Sequence, residues 1–166
     1  RLSLGAAYFL QRYQDLVDFD FEQFLHVNRS RVRTQGVELS ARWRPHPALG
    51  LDAEATYLDA QDLDGGVLLH QPRWTGGVRL TWQPGERLSL RLQARAVSGS
   101  YDEQIPVPDR DTVDGYSLVG LAGSWRVHDG WTLRARLDNL ADRSYETLIG
   151  FPGPGRSFWL GAGWER

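Results

Sequence analysis

The sequence predicts an all-β fold, an antiparallel transmembrane β-barrel wall of about eight strands, from three observations. Apolar and polar residues alternate with a period of two along most of the 166 residues, which is the period of a strand and not of a helix. Several alternating segments run for ten residues or more, about the length that crosses a bilayer at a ~45° tilt. Short and long connections also alternate along the chain, as they do in outer-membrane barrels.

The composition excludes several other classes of protein. Seven Trp, six Tyr and six Phe supply apolar surface that a disordered chain does not have. A net charge of -2 and a pI of about 6.1 leave no basic field for nucleic acid. The absence of Cys excludes disulfides, zinc–thiolate sites and thiol catalysis. No apolar run reaches the ~20 residues of a membrane helix. The chain starts at Arg1 without a signal peptide, so we expect it to be a piece of a longer protein.

Each predicted strand has one apolar and one polar face. In the fourth, Trp74, Val78 and Trp82 oppose Arg73 and Arg79. The fifth sets alternate Leu and Ala against Arg, Ser and Gln, and the seventh sets Trp and Leu against Thr and Arg. A helix would scatter those arginines around its whole circumference. The predicted strands cover residues 2–16, 24–44, 49–61, 67–83, 87–101, 113–128, 131–148 and 156–165.

The connections assign the two ends of the wall. Short polar turns at 45–47, 83–86 and 128–130 join strands two to three, four to five and six to seven. The other connections are longer and irregular. Short turns face the periplasm in outer-membrane barrels, so we expect the long loops outside the cell and the last strand to end in the periplasm.

Four tryptophans beside the short turns share the apolar parity of their strands: Trp43, Trp82, Trp125 and Trp131. Their amphipathic rings favour the headgroup level, so they are predicted to form an interfacial girdle. The alternative is that they pack the core of a soluble sandwich. That arrangement would leave the arginine-bearing face as a wide exposed sheet.

Charges separate between loops and strand faces. The predicted outer segments 15–23, 59–66 and 101–114 hold twelve acids and one base, Arg110. The polar strand faces carry Arg42, Arg79, Arg91, Arg95, Arg134 and Arg136. An arginine facing lipid at mid-depth costs ~2–4 kcal/mol, so this parity is predicted to face a wet lumen. We interpret the acidic loops as a solvated surface bridged by divalent cations beside lipopolysaccharide. The alternative is that some carboxylates bind calcium or contact a ligand.

Three segments resemble the TonB-dependent outer-membrane receptors. Residues 27–39 are similar to the family's "N…a…GvEle" strand, 137–146 to its penultimate-strand "v.NLfDk.Ye" signature, and 153–158 to the "pGRsf" start of its final strand. The matching residues are Asn28, Gly36, Glu38, Asp138, Asn139, Leu140, Asp142, Tyr145, Glu146, Gly155 and Arg156. We interpret them as structural. Gly36 indicates a bulge or a close approach, and Asp138 and Asn139 a bulge with capped backbone amides.

The resemblance implies that residues 1–166 are the last eight strands of a 22-stranded barrel, with the plug domain and first strands upstream. It implies energy-coupled uptake of a scarce large nutrient, without catalysis or a cofactor, in the outer membrane of a Gram-negative bacterium. Segments 57–60 and 72–73 look most like cobalamin transporters, although siderophore receptors share much of the same pattern. The implied partners are outer-membrane lipid and lipopolysaccharide, the nutrient, and TonB acting through the plug. Residues expected on the ligand side, near the outer strand ends, are Asp59, Asp62, Tyr101, Asp102, Arg110 and Phe151.

Two other functions were weighed. An enzyme is disfavoured because the four histidines are far apart in sequence and no HExxH or GxSxG motif is present. A self-contained eight-stranded barrel with a structural or adhesion role could close, but side chains would just fill its interior. Its lumenal arginines would then need nearly matched carboxylates, which the strand faces do not supply.

Overall fold

The computed structural model describes residues 1–20, 24–102, 111–128 and 130–165. Within these ranges every regular element is a strand, and no helix is long and apolar enough to cross a membrane. The strands are β1 (Leu2–Asp20), β2 (Leu25–His46), β3 (Leu49–Asp62), β4 (Trp74–Trp82), β5 (Leu88–Val97), β6 (Ser100–Tyr101), β7 (Thr112–Val113), β8 (Tyr116–Arg126), β9 (Trp131–Asp138), β10 (Glu146–Leu148), β11 (Phe151–Pro152) and β12 (Ser157–Trp164).

Eight long strands form one antiparallel sheet in which each pairs with its neighbour along the chain, in the order β1-β2-β3-β4-β5-β8-β9-β12. The short strands make two separate hairpins, β6–β7 and β10–β11, inside the loops that follow β5 and β9. This meander is the topology of a barrel wall, and the all-β antiparallel prediction is confirmed. In the described part of the chain β1 and β12 do not contact each other, so the sheet is open and has two free edges.

Strand register collects the apolar residues on one face. A single row of paired positions crosses all eight strands: Leu2, Trp43, Leu51, Leu80, Leu92, Leu121, Leu137 and Phe158. The parallel row on the other face contains Arg42, Asp52, Arg79 and Gln93. A slip of one residue at any pair would move a whole strand's leucines to the charged face, so the alternation itself selects this register.

The same apolar row shows that the strands are tilted as in a barrel. From Trp43, beside a short turn, the row crosses six strand spacings to Phe158, which lies six residues before Trp164 at the short-turn end of β12. Six strand spacings of ~4.8 Å against six residues of ~3.3 Å give a tilt of about 35°. Barrel closure requires strands inclined by ~35–45° to the axis, so the sheet has the stagger of a closed barrel.

The wall has almost no interior of its own. In the described ranges no large side chain is fully buried, and the buried hydrophobic residues are Val32, Val113 and Ile149. Leucines of the apolar face are widely exposed, Leu4 to 72% and Leu160 to 65%. The soluble-sandwich alternative requires a second sheet packed on this face, and the described part of the chain supplies none. A continuous apolar face of this size needs a cover, and lipid supplies one.

Strand boundaries differ from the prediction where the loops take over. β4 starts at Trp74 and not at residue 67, and β9 ends at Asp138 and not at residue 148. The intervening residues His70, Asn139 and Asp142 have positive φ, between 50° and 57°, which is incompatible with a strand. Residues 67–73 and 139–148 do not keep a strict alternation of apolar and polar side chains, so the prediction extended these two strands beyond their periodic parts.

Candidate functional site

The four tryptophans predicted to form an interfacial girdle share one face of the sheet. Trp43, Trp82, Trp125 and Trp131 are on the apolar face near the short turns, and they are 46–51% exposed. Trp164 pairs directly with Trp131 and extends the row to the last strand. Half-exposed indole rings at one level of an apolar face are suited to a membrane–water interface.

A second aromatic level, which the sequence analysis missed, lies at the other end of the same face. The rings of Tyr57 and Trp74 are paired across β3 and β4 with centroids 4.7 Å apart. Trp74 is eight residues from Trp82 on the same parity, and that spacing was the signal that could have revealed it. Eight residues at ~3.3 Å rise, tilted by ~35–45°, span about 20 Å, close to the ~25 Å apolar band of such barrels.

The opposite face carries the predicted charges. Asp52 accepts from Arg42 Nε at 3.2 Å and from Arg44 Nη2 at 2.9 Å, and Asp138 accepts from Arg136 Nε at 2.7 Å. Among the described residues, no carboxylate lies within ion-pair distance of the other arginines of this face, Arg79, Arg91, Arg95 and Arg134. Such a surface is suited to water and to acidic groups and is unsuited to lipid.

Gly36 makes the close approach that its position in a strand indicated. A Cβ at this position would lie 2.6 Å from Cζ of Phe9 and would overlap the carbonyl oxygen of Tyr57. Pairing with β1 and β3 continues through Gly36 without a break, so the predicted alternative, a bulge, is absent here. Glu38, two residues on, lies on the lumenal parity opposite Ala7 and Thr56. Asn28 is in β2 opposite Val17.

The second and third motifs fold onto each other. Asn139 is buried, donates from Nδ2 to the carbonyl oxygens of Arg143 and Pro154 at 2.9 and 3.1 Å, and accepts the Arg143 N–H at 2.9 Å. Asp142 Oδ1 accepts the Arg156 N–H at 2.7 Å. These contacts are the predicted capping of backbone amides, although Asp138 binds Arg136 instead.

The remaining motif residues shape the same corner. The Leu140 N–H donates to the carbonyl oxygen of Val119 at 2.8 Å, and the Tyr145 ring packs against Tyr116 with centroids 4.6 Å apart and planes tilted by 38°. Glu146 begins β10 opposite Pro152. Gly155 lies against Asp142, where a Cβ would come within 3.2 Å of Oδ1. The motif residues therefore close the loop between β9 and β12 and deliver the chain to the last strand.

Asn139→Ala is expected to lower the free energy of unfolding by about 2 kcal/mol, because three hydrogen bonds and the tolerance of Asn for positive φ are lost together. The urea midpoint of the full-length barrel measures this. Asn139→Gly is the matched control, since it keeps the conformational freedom and loses only the hydrogen bonds, and it should lose less. Equal midpoints for Asn139→Ala and the parent protein would contradict this role.

The residues expected on the ligand side lie in different surroundings. Asp59 accepts from Gln35 Nε2 at 2.9 Å, and Asp62 Oδ1 accepts the N–H of Asp64 at 2.9 Å, both near the carboxyl end of β3. Tyr101 and Phe151 belong to the two loop hairpins and are 52% and 65% exposed. Arg110 lies outside the described residues.

Asp102 stands apart because it is buried at the junction of three loops. Its Oδ1 lies 2.7 Å from Nε2 of His70, and its Oδ2 accepts the Ile149 N–H at 2.6 Å. Neither His70 nor Ile149 was singled out from the sequence as part of a site. In the described ranges no three His, Asp or Glu side chains converge into a set that could hold a metal ion.

Known proteins share this architecture. A family model described as "TonB dependent receptor-like, beta-barrel" matches residues 1–140. Over 54 residues, 32% of the chain, the sequence is 44% identical to the vitamin B12 transporter BtuB of Vibrio cholerae, of which the match covers 9%.

Solved structures are similar over nearly the whole chain. The ferripyoverdine receptor of the outer membrane of Pseudomonas aeruginosa has a TM-score of 0.82 at 19% identity, over 99% of this chain and 25% of that one. The ferric-catecholate import receptor Fiu of E. coli K12 has a TM-score of 0.79 at 21% identity, over 98% and 25%. The chain thus spans about a quarter of the length of these solved proteins, and at this identity the likeness shows a shared fold.

Proposed function

The chain belongs to the TonB-dependent receptor family, and we propose that residues 1–166 form the carboxyl-terminal part of the barrel of an outer-membrane uptake receptor. The observation that carries this proposal is the two-faced wall. Tryptophan and leucine rows share one face of the sheet, arginines share the other, and the loops with the β6–β7 and β10–β11 hairpins are at one end of the strands. The first strands of a 22-stranded barrel and the plug domain then lie upstream. The proposed role is uptake of a scarce large nutrient without covalent chemistry.

Two nutrient classes fit this proposal. Cobalamin is favoured by the 44% identity to a vitamin B12 transporter. Ferric siderophores are the second candidate, because the proteins of similar structure are named as receptors for ferripyoverdine and ferric catecholates. Of the ligand-side residues, the exposed aromatics Tyr101 and Phe151 have the clearest access to a ligand, and Asp59, Asp62 and Arg110 supply charge near them.

The proposed partners follow from the same surfaces. The aromatic levels and leucine rows contact outer-membrane lipid, and the acidic outer loops contact lipopolysaccharide through divalent cations such as calcium. TonB acts through the plug domain. The arginines of β4, β5 and β9 then face the barrel lumen, through which a polar nutrient crosses the membrane.

Ligand titrations of the full-length receptor in detergent test the proposal. Cyanocobalamin, ferripyoverdine and ferric enterobactin are added separately, and Trp fluorescence reports binding. One of the three is expected to bind, and Phe151→Ala to weaken it about ten-fold through loss of a buried aromatic contact. The matched control is Phe158→Ala, equally exposed at 65% but on the lipid face, which should leave affinity unchanged. A folded receptor that binds none of these compounds would overturn the proposal.

A further inference from the structure

We propose that Asp102 is a positioning residue that locks three outer loops into one body and so holds Tyr101 and Phe151 in a fixed arrangement. The loops are residues 63–73 between β3 and β4, the described residues 98–102 and 111–115 around the β6–β7 hairpin, and residues 139–156 around the β10–β11 hairpin. Only the consequence for ligand affinity rests on the proposed function.

Hydrogen bonds to one residue join all three loops. The carboxylate of Asp102 contacts His70 Nε2 in the first loop at 2.7 Å and accepts the Ile149 N–H of the third loop at 2.6 Å. Its own N–H donates to the carbonyl oxygen of Asp111 at 3.0 Å, which closes the second loop. The His70 N–H donates to the carbonyl oxygen of Tyr101 at 2.8 Å. Side chain and backbone therefore tie the same loops together.

Burial makes these hydrogen bonds consequential. Asp102 is 6% exposed, and a carboxylate removed from water is tolerated only when its oxygens find donors. Val113 and Ile149, two of the buried hydrophobic residues in the described chain, lie in these loops, where β7 and β10 contact each other, so the loops have a small core of their own. Loops are usually the mobile part of a structure, but loops with a shared core and a shared carboxylate move together.

The backbone of His70 supports the same conclusion. Its φ is +57°, in the left-handed region that only a few per cent of residues other than glycine adopt. Such a conformation persists where surrounding contacts determine it. Here the contacts are those of its ring with Asp102 and of its N–H with Tyr101.

Pulsed electron resonance between spin labels on the full-length receptor tests this inference without a ligand. The 166 residues contain no Cys, so labels placed at Val67, in the first loop, and Thr147, in the third, are the only ones in this part of the chain. The parent protein should give one narrow distance. Asp102→Ala should broaden it and speed exchange of the Ile149 amide about ten-fold.

Matched variants distinguish the loss of the Asp102 hydrogen bonds between the loops from a general loss of stability. Asp102→Asn should rescue much of the narrow distance, because its amide oxygen still accepts the Ile149 N–H and its NH₂ can donate to neutral His70. His70→Asn keeps a residue that tolerates positive φ but shortens the side chain, so it should release the first loop while the Ile149 amide stays protected. Asp111→Ala removes an exposed carboxylate from the same hairpin and should change neither readout.

The ligand arm is measured on the same variants. The ligand tested is the one of cyanocobalamin, ferripyoverdine and ferric enterobactin that the parent protein binds. Asp102→Ala should weaken its binding about five-fold, because the free-energy cost of ordering the loops is then paid on binding. If the parent binds none of them, the proposed function fails while the label distances still decide the lock. An unchanged narrow distance and unchanged Ile149 exchange in folded Asp102→Ala would overturn the inference. Should Asp102→Ala not fold, the selective release by His70→Asn decides.

Discussion

Replacing Gly36 with valine is expected to prevent the barrel from assembling. Gly36 lies in β2 between the Phe9 ring of β1 and the backbone of β3, and even one added carbon would come 2.6 Å from that ring and overlap the Tyr57 carbonyl oxygen. Moving a ring is inexpensive, but moving a backbone oxygen separates two paired strands. Overpacking costs ~1–3 kcal/mol where a core can adjust, and valine adds two further methyl groups.

The assay is the fraction of full-length protein that keeps the mobility of a folded barrel in an unheated SDS gel. Gly77→Val is the matched control, in β4 on the same lumenal face. A Cβ there meets first Glu54 Oε1, the end of a flexible side chain, at an ordinary 3.4 Å. It should assemble as the parent protein does. Adding Phe9→Ala to Gly36→Val should restore assembly only in part, because the Tyr57 oxygen remains. Equal assembly of Gly36→Val and Gly77→Val would refute the argument.

The sequence was most informative about the faces of the wall, for a physical reason. Each strand position faces either lipid or water, and a misplaced arginine costs ~2–4 kcal/mol, so nearly every residue of β4, β5 and β9 repeats the same binary choice. The placement of Trp43 and Trp125 on the apolar face, beside a short turn, followed from that parity and from the turn residues. The tilt of the strands did not, because it depends on which residues pair, as Trp43 with Leu51 and Leu137 with Phe158.

The contacts at the junction of the three loops could not be predicted from sequence periodicity. Asp102 was singled out only for its position near a strand end, and its partners His70 and Ile149 are 32 and 47 residues away. The backbone N–H of Ile149 is an obligatory donor whatever the side chain, so no residue type signalled that contact. The positive φ of His70 also lacks the glycine or asparagine that usually reveals such a conformation. Contacts of this kind depend on how three loops meet in space.

Val78→Arg is expected to lower the free energy of unfolding in a bilayer by about 2–4 kcal/mol, the cost of an arginine on the lipid face at the midplane. Val78 lies midway along β4 between the tryptophans of the two aromatic levels, Trp74 and Trp82, and is 47% exposed on the apolar face. Its paired neighbours are Ala53 and Ala94, which supply neither a counter-charge nor a hydrogen bond. At this depth the guanidinium is equally far from both headgroup layers. Extending the arginine side chain toward water therefore reduces the free-energy cost less here than at any other depth.

Gly77→Arg is the control that isolates the face from the charge. It adds the same side chain one residue earlier in the same strand, at nearly the same depth, but points it to the lumen beside Glu54. The two variants are compared by denaturant unfolding of the full-length barrel in vesicles and, separately, in detergent. Gly77→Arg should stay close to the parent protein in both. Because a flexible micelle lets water reach the guanidinium more easily than a bilayer does, the penalty of Val78→Arg should shrink in detergent. Equal stabilities for the two variants in vesicles would mean that lipid does not cover the leucine-bearing face.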